Sequence, residues 1–210
     1  MASPSVSQVM AVRIRRYRKA LDWTQERLSE ETGKFGPPMS RSTIAKIEGG
    51  QTRGENISLV DTFVLAAALN VPPPLLFLPL GEEDRVAVTP ALRLHPHLVL
   101  DWITGDLPLV GENRKALGNQ GWGSNARPIW LFRELRAHQT VRDEARAAVA
   151  AADKEDDVGW QQEARRRLDE ALLELDWHRE TMERAGLRVP AGLFKKDETN
   201  RLVRLRTERG

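Results

Sequence analysis

Between residues 9 and 80, apolar side chains recur at helical spacing in several short segments, and most of these segments end at a glycine or a proline. Five short helices in about 70 residues predict one small all-α domain. The predicted helices cover residues 10–21, 25–32, 41–48, 58–69 and 75–78. Thr24 and Ser40 should cap the second and third helices, because a hydroxyl at that position accepts a hydrogen bond from the first turn. In the fourth helix the residues expected to face inward are Leu59, Phe63, Ala66 and Leu69.

The rest of the chain is predicted to contain a long helical hairpin. Residues 81–127 are rich in Gly and Pro and predict an irregular connection, in which 85–94 could be a strand and 95–103 a short helix. Pro128 suits a first helical position, so a long helix is expected from there to about Ala152, with a second from about Gly159 to Ala185. Their short connection makes them antiparallel over 128–187. The basic stretch 188–210 follows as a tail, either a flexible end or an additional phosphate contact.

The hairpin prediction depends on a seam of apolar residues that are three and four positions apart. Arg142 interrupts the seam of the first helix. The first helix contributes Leu131, Leu135, His138, Ala145, Val149 and Ala152, and the second Ala164, Leu168, Ala171, Leu175, His178 and Met182. The expected fold class is therefore all-α, with an N-terminal five-helix domain over 1–80 and a C-terminal antiparallel hairpin.

Composition excludes several classes of protein. The chain has no cysteine, which rules out disulfides and thiolate metal sites and is typical of a reducing compartment. The first ten residues lack the apolar core of a signal peptide, and the longest apolar stretch, 59–80, contains Asp61, Asn70 and four prolines. We expect a cytoplasmic protein, associated with the nucleoid, that does not enter a membrane. The net charge of +2 permits nucleic-acid binding without demonstrating it.

The second and third predicted helices are arranged as in proteins that read DNA, because a major groove accepts one helix and its N-terminal residues reach base edges. Arg41 can form a bidentate pair with guanine, Ser42 can donate to or accept from a base, and Lys46 can reach a base or a phosphate. Gln25 can add a donor to the phosphate site at the start of the second helix. The full set expected to contact DNA is Gln25, Ser40, Arg41, Ser42, Thr43, Lys46, Gln51, Thr52 and Arg53.

Three motifs in this order resemble the XRE family of helix-turn-helix regulators, the group of lambda-type phage repressors. They are the segment 13–33 with its Gln-Glu-x-Leu-Ser, the segment 40–51 with Ser-Arg-Ser-Thr-Ile, and Ala-Ala-Ala-Leu-Asn-Val-Pro at 66–72. The resemblance covers residues 9–80. It implies a lambda-repressor-like fold and sequence-specific binding to double-stranded DNA, usually by a homodimer on a pseudo-palindrome. It also implies a structural ion pair between Arg18 and Glu48.

One departure from the family lies in the turn, where residues 34–38 are inserted. The extra loop could contact a DNA backbone through Lys34 or could simply cover the surface. Arg13, Arg15 and Arg16 on the first helix leave the same two readings open, phosphate contact or a solvated face.

The histidines and tryptophans could in principle form metal or ligand sites, but structural roles explain them better. His95 and His97 lack the further ligands of a metal site, and His138 with His178 suggests packing in the hairpin more than a pH-sensitive contact. The tryptophans at 102, 122, 130, 160 and 177 are expected in a core or an interface. We find no nucleophile–base pair and no phosphate-binding loop, so no enzyme activity, cofactor or metal is predicted.

These features predict a DNA-binding transcriptional regulator, a repressor or pleiotropic regulator, with a dimer or partner interface in the hairpin. The alternative is a DNA-binding antitoxin or adaptor whose C-terminal region binds another protein. Residues 81–210 could also bind a small-molecule effector.

Overall fold

The computed structural model describes residues 3–50, 57–110 and 121–209, and the chain divides into two compact units, 1–120 and 121–210. The elements of the first unit are α1 (Val6–Ala20), α2 (Gln25–Thr32), α3 (Arg41–Glu48), α4 (Leu59–Leu69), α5 (Pro74–Phe77), β1 (Val86–Thr89), β2 (Leu92–Leu94) and α6 (Pro96–Thr104). Those of the second unit are α7 (Trp122–Ala152), α8 (Val158–Arg184) and α9 (Lys196–Arg209). The predicted all-α class, with five N-terminal helices and a C-terminal pair of long helices, is confirmed.

The core of the five-helix region forms where the predicted apolar stripes meet. Ile14 of α1, Leu28 of α2, Ile44 of α3 and Leu65 of α4 are fully buried in one cluster, which Leu76 of α5 completes. The bounds of α2 and α3 coincide with the predicted ones. Burial of such side chains is the main force that holds short helices together, since isolated helices of this length are marginal in water.

The predicted inner face of α4 is wrong at two positions. Leu59 is 68% exposed and Phe63 51% exposed, while the buried side is centred on Thr62, Leu65 and Leu69. Successive helical residues are separated by about 100°, so Phe63 lies on a different side from the stripe Thr62–Leu65–Leu69. The segment is apolar nearly all round, and its pattern therefore did not define one face.

This orientation predicts a small effect of substitution at Phe63. We expect Phe63→Ser to lower the free energy of unfolding by about 1 kcal/mol or less, because the ring is half exposed and its loss opens no closed cavity. Urea denaturation followed by circular dichroism measures this change. A loss of about 3 kcal/mol or more, the usual cost of truncating a buried Phe, would contradict the orientation of α4.

Residues 86–104 form an antiparallel β-hairpin followed by α6. The sequence suggested a strand for 85–94 and a short helix for 95–103. β1 and β2 pair with Val86 opposite Leu94. Ser5, the residue before α1, forms a parallel bridge with Ala87. Val86, Leu94 and Val99 bury their side chains with Val9 of α1 and Leu78 in a second cluster. The hairpin and α6 thereby pack on the five-helix region and belong to the same compact unit.

In the second unit, α7 begins at Trp122, six residues before the predicted start at Pro128. Pro128 lies inside the helix, where its missing N–H removes the bond to the carbonyl of Ser124. In the same turns Ala126 is buried, and the Trp130 ring lies near Gly123, where an added Cβ would stand 3.6 Å from it. The Gly-rich sequence before Pro128 predicted a loop, because contacts such as that of Trp130 with Gly123 cannot be seen in a local pattern.

α7 and α8 form the predicted antiparallel hairpin. All six seam residues predicted in α8 are buried, as are Leu131, Leu135 and Ala152 of α7. The ends meet as an antiparallel pair requires, since the His178 ring bonds the carbonyl of Leu131 at 2.8 Å and Asp153 contacts Arg165 at 2.8 Å. Arg142, which interrupts the seam, is buried, and its Nη1 donates to the carbonyl of Leu193.

The basic tail contains a helix, α9, which packs on α8. Leu202 is buried against Leu168 and Leu172. Arg201 pairs with Asp169, and Arg206 pairs with Asp176. Two arginines of the stretch expected to be a flexible end or a phosphate contact are therefore engaged within the unit. Across the described ranges 3–50, 57–110 and 121–209, no helix combines the length and the apolar character needed to span a bilayer.

Candidate nucleic-acid interface

The turn between α2 and α3 is built by capping hydroxyls, as the sequence predicted. The Thr24 side chain accepts from the N–H of Arg27 at 3.1 Å, and that of Ser40 accepts from the N–H of Thr43 at 3.1 Å. Each cap satisfies an N–H that the first turn of its helix leaves without a partner.

The inserted residues 34–38 leave the start of α3 tied to α2. The Ser29 hydroxyl donates to the carbonyl of Met39 at 2.5 Å, and the N–H of Met39 donates to the Thr32 hydroxyl at 3.0 Å. Lys34, a candidate for DNA contact, forms an ion pair with Glu31 at 2.5 Å. The loop can therefore vary in length while Ser29 and Thr32 hold the residue just before the Ser40 cap. Neither role followed from the sequence pattern.

A buried ion pair locks α3 against α1. Arg18 Nε lies 2.6 Å from Glu48 Oε1 and Arg18 Nη2 lies 2.7 Å from Glu48 Oε2, a bidentate arrangement. Arg18 Nη1 also donates to the carbonyl of Trp23 at 2.6 Å. Gln25 Nε2 donates to Glu48 Oε2 at 3.0 Å, so the first residue of α2 joins the same network. The last residue of α3 is thus fixed to both preceding helices.

The electrostatics of Glu48 follow from these contacts. Burial by itself would raise the pKa of the Glu48 carboxyl, but hydrogen bonds from Arg18 and Gln25 and the charge of Arg18 outweigh it, and the pKa is lowered from its ordinary value. The exposed Arg15 guanidinium lowers it further. Glu48 is therefore charged at neutral pH. Its hydrogen bond with Arg18 also raises the pKa of the Arg18 guanidinium, so both members of the pair are charged.

The predicted DNA contacts of α3 lie on its exposed side. Arg41, Ser42, Thr43 and Lys46 are exposed, whereas Ile44 and Ile47 are buried. The Ser40 hydroxyl lies 2.8 Å from that of Ser42 and 2.9 Å from that of Thr43, so the three hydroxyls form one cluster at the N-terminus of the helix. This end presents one guanidinium and three hydroxyls, groups that can bond base edges or phosphate oxygens.

Arg41 has a partner that the sequence analysis missed. Its Nε lies 2.6 Å from Oε1 of Glu26, the second residue of α2. The only available signal was that Glu26 and Arg41 each stand near the start of one of the two helices of the motif. The Gln25 amide has a further partner in Glu48, to which it donates one N–H, and its second N–H is the donor for the predicted phosphate contact.

Other predicted contacts are placed as follows. Gln51, Thr52 and Arg53 lie outside the described residues. Of the arginines on α1, Arg13 and Arg16 both pair with Glu82, at 3.0 and 2.6 Å.

The histidine pairs are close in space. The rings of His95 and His97 are 4.4 Å apart and those of His138 and His178 are 5.0 Å apart. Within the described ranges, no three His, Asp or Glu side chains cluster as a metal site would require.

Comparison with known proteins agrees with this geometry. Residues 14–76 match the family model for helix-turn-helix domains. No curated protein and no solved structure matches the chain. The matched segment runs from Ile14 of α1 to Leu76 of α5 and so contains α2, α3 and the network around Glu48. Residues 14–76 therefore form a helix-turn-helix domain of the XRE family, which is a DNA-binding regulatory domain.

Proposed function

We propose that this protein is a sequence-specific transcriptional regulator, a repressor or pleiotropic regulator, that binds double-stranded DNA as a homodimer on a pseudo-palindromic operator. α3 lies in the major groove, and Arg41, Ser42 and Lys46 contact bases or neighbouring phosphates. Gln25, Ser40 and Thr43 position the domain on the backbone, together with Gln51, Thr52 and Arg53.

One observation carries the proposal: the N-terminal end of α3 is exposed and polar while its opposite side is buried and held by the Arg18–Glu48 pair. A recognition helix needs a fixed orientation, because a bidentate contact to a base edge tolerates little rotation of the backbone that carries it.

The direct test is Arg41→Ala. We expect the preference for one base pair in each half-site to fall by about 1–3 kcal/mol, because a bidentate contact to guanine distinguishes it from other bases by that amount. Fluorescence anisotropy with the selected duplex and with duplexes changed at single positions measures the preference. Arg27→Ala, an exposed arginine on α2, serves as the matched control and should leave the preference intact. Equal weakening on every duplex would make Arg41 a phosphate contact instead.

The proposed dimer places its interface in the second unit, on the outer surface of the hairpin. The seam residues are used in packing α7 against α8 and so cannot serve a second chain. Ile129 and Phe132, three residues apart on α7, remain exposed and line one groove of this surface. Neighbouring exposed apolar side chains are typical of an interaction surface.

The same exposed residues support one second candidate, a DNA-binding antitoxin or adaptor whose hairpin binds another protein. The two proposals differ in the mass of the purified full chain. Light scattering should give the mass of two chains for the homodimeric regulator. The mass of one chain, with DNA binding retained, would favour the adaptor.

A further inference from the structure

The ion pair between Arg41 and Glu26 lies at the leading ends of the two helices of the motif. Arg41 is the first residue of α3 and Glu26 the second residue of α2, and Arg41 Nε is 2.6 Å from Glu26 Oε1. Both side chains are largely exposed, 67% and 53%. The pair therefore does not serve to bury a charge, and exposed pairs contribute little to stability. Its position on the proposed DNA surface is what calls for an explanation.

A carboxylate at this position opposes the usual chemistry of such a surface. The N-terminus of a helix in a DNA-binding domain is a site for phosphate, because its N–H groups carry partial positive charge. Glu26 occupies the first turn of α2, where its own backbone N–H is the largest cause that lowers the pKa of its carboxyl. Arg41 lowers the pKa further, so the group is an anion at neutral pH. An anion here weakens non-specific attraction to DNA.

The same contact has a positive consequence for reading a base. A guanidinium carries five N–H groups in a rigid plane, and the contact with Glu26 is at Nε. The two Nη groups can still donate to the O6 and N7 atoms of guanine. The charge attraction between Glu26 and Arg41 favours rotamers that keep the guanidinium near the start of α2, so Arg41 loses fewer rotamers on binding. The carboxylate also neutralises the guanidinium, so Arg41 is less strongly attracted to a phosphate than an unpaired arginine would be.

We propose that Glu26 is a specificity-determining residue, which positions Arg41 for guanine and keeps it from phosphates. The inference rests on the proposed function, since it requires that α3 enters the major groove. Beyond the proposed function, the inference makes the sequence preference depend on an acidic residue of α2. This helix was expected only to contact the DNA backbone. Glu26 acts through Arg41 and is a positioning residue.

The test compares the full chain with Glu26→Gln on two duplexes, the one selected by the wild type and one of random sequence. We expect Glu26→Gln to bind random duplex more tightly and to lose about fivefold or more of the affinity ratio between the two duplexes. On random duplex, the slope of log K against log salt should steepen by about 0.9, the value for one added phosphate contact. Glu30→Gln makes the same charge change on α2, on a carboxylate that pairs with Arg27, and should keep the wild-type ratio.

A double variant separates positioning from general electrostatics. In an Arg41→Ala background, Glu26→Gln should leave the affinity ratio unchanged, because the group it positions is gone. A ratio for Glu26→Gln alone that stays within twofold of the wild type would overturn the inference, including the case in which both duplexes are bound more tightly by the same factor. Failure of the proposed function is a different result, in which the wild-type chain itself prefers no duplex.

Discussion

Replacing Glu48 with alanine is expected to lower the free energy of unfolding of the N-terminal unit by about 3–5 kcal/mol. The substitution leaves the Arg18 guanidinium buried without the carboxylate that its Nε and Nη2 contact, and it removes the acceptor of the Gln25 amide. The intact pair contributes little net stability, because burial of both charges offsets their attraction. Removing one partner has a large effect because it leaves the other charge buried and unpaired. Urea denaturation followed by circular dichroism gives the change.

Glu30→Ala is the matched control, because Glu30 is an exposed carboxylate in an ion pair with Arg27 and its loss should cost about 0.5 kcal/mol or less. A loss below about 1 kcal/mol for Glu48→Ala would show that the buried Arg18 guanidinium does not depend on Glu48 as its partner.

The same pair predicts a dependence on pH. The folded-state pKa of Glu48 is lower than its unfolded value, so its contribution to stability is complete above about pH 4.3 and is lost as the pH falls through the folded-state pKa. The wild-type chain should therefore lose more stability on acidification below about pH 4.3 than Glu48→Gln does.

Removing residues 121–210 is expected to weaken operator binding by about 100-fold or more. In the proposed dimer, one domain bound to its half-site holds the second domain at high effective concentration, and separating the domains removes that advantage. Residues 1–120 are a compact unit with their own apolar clusters, and circular dichroism checks that the shortened chain folds. Anisotropy on the selected duplex gives the affinity, and light scattering gives the mass.

A point variant tests the same interface in the full chain. Phe132→Asp on the outer side of α7 should reduce both mass and operator affinity, while Val203→Asp, at an exposed apolar residue of α9, should change neither. Operator binding by residues 1–120 at wild-type strength would assign the hairpin to another role.

Local patterns predicted the recognition motif well. Thr24 and Ser40 cap α2 and α3 through hydrogen bonds to residues three positions later in the sequence. Contacts over so short a separation can be inferred from the neighbouring residues. The seam of α8 was predicted for a related reason, since its spacing of three and four residues repeats over several turns.

The features that were not predicted depend on contacts between residues distant in sequence, or belong to a helix whose apolar residues do not define one buried side. Leu59 and Phe63 belong to a helix that is apolar nearly all round, so only packing selects its buried side. The first turns of α7 bring the Trp130 ring close to Gly123, seven residues earlier, which the Gly-rich pattern does not indicate. The pairs of Glu82 with Arg13 and Arg16 join residues more than 60 positions apart.

The candidate site shows the same division. Sequence reasoning named the exposed residues of α3 but not Glu26, because the ion pair with Arg41 exists only once the two helices are packed. It also did not name the hydrogen bond from the Gln25 amide to Glu48, which joins residues 23 positions apart, while the DNA contact expected of Gln25 stays a prediction.

Selection of bound fragments from random duplex DNA, followed by sequencing, shows whether α3 reads bases when the full chain and Arg41→Ala are compared. We expect the wild type to enrich two related half-sites about one helical turn, or ~34 Å, apart, and Arg41→Ala to lose preference for a guanine at one position in each half-site. Recovery of no common sequence by the wild type, or of the same sequence with undiminished preference by Arg41→Ala, would contradict this expectation.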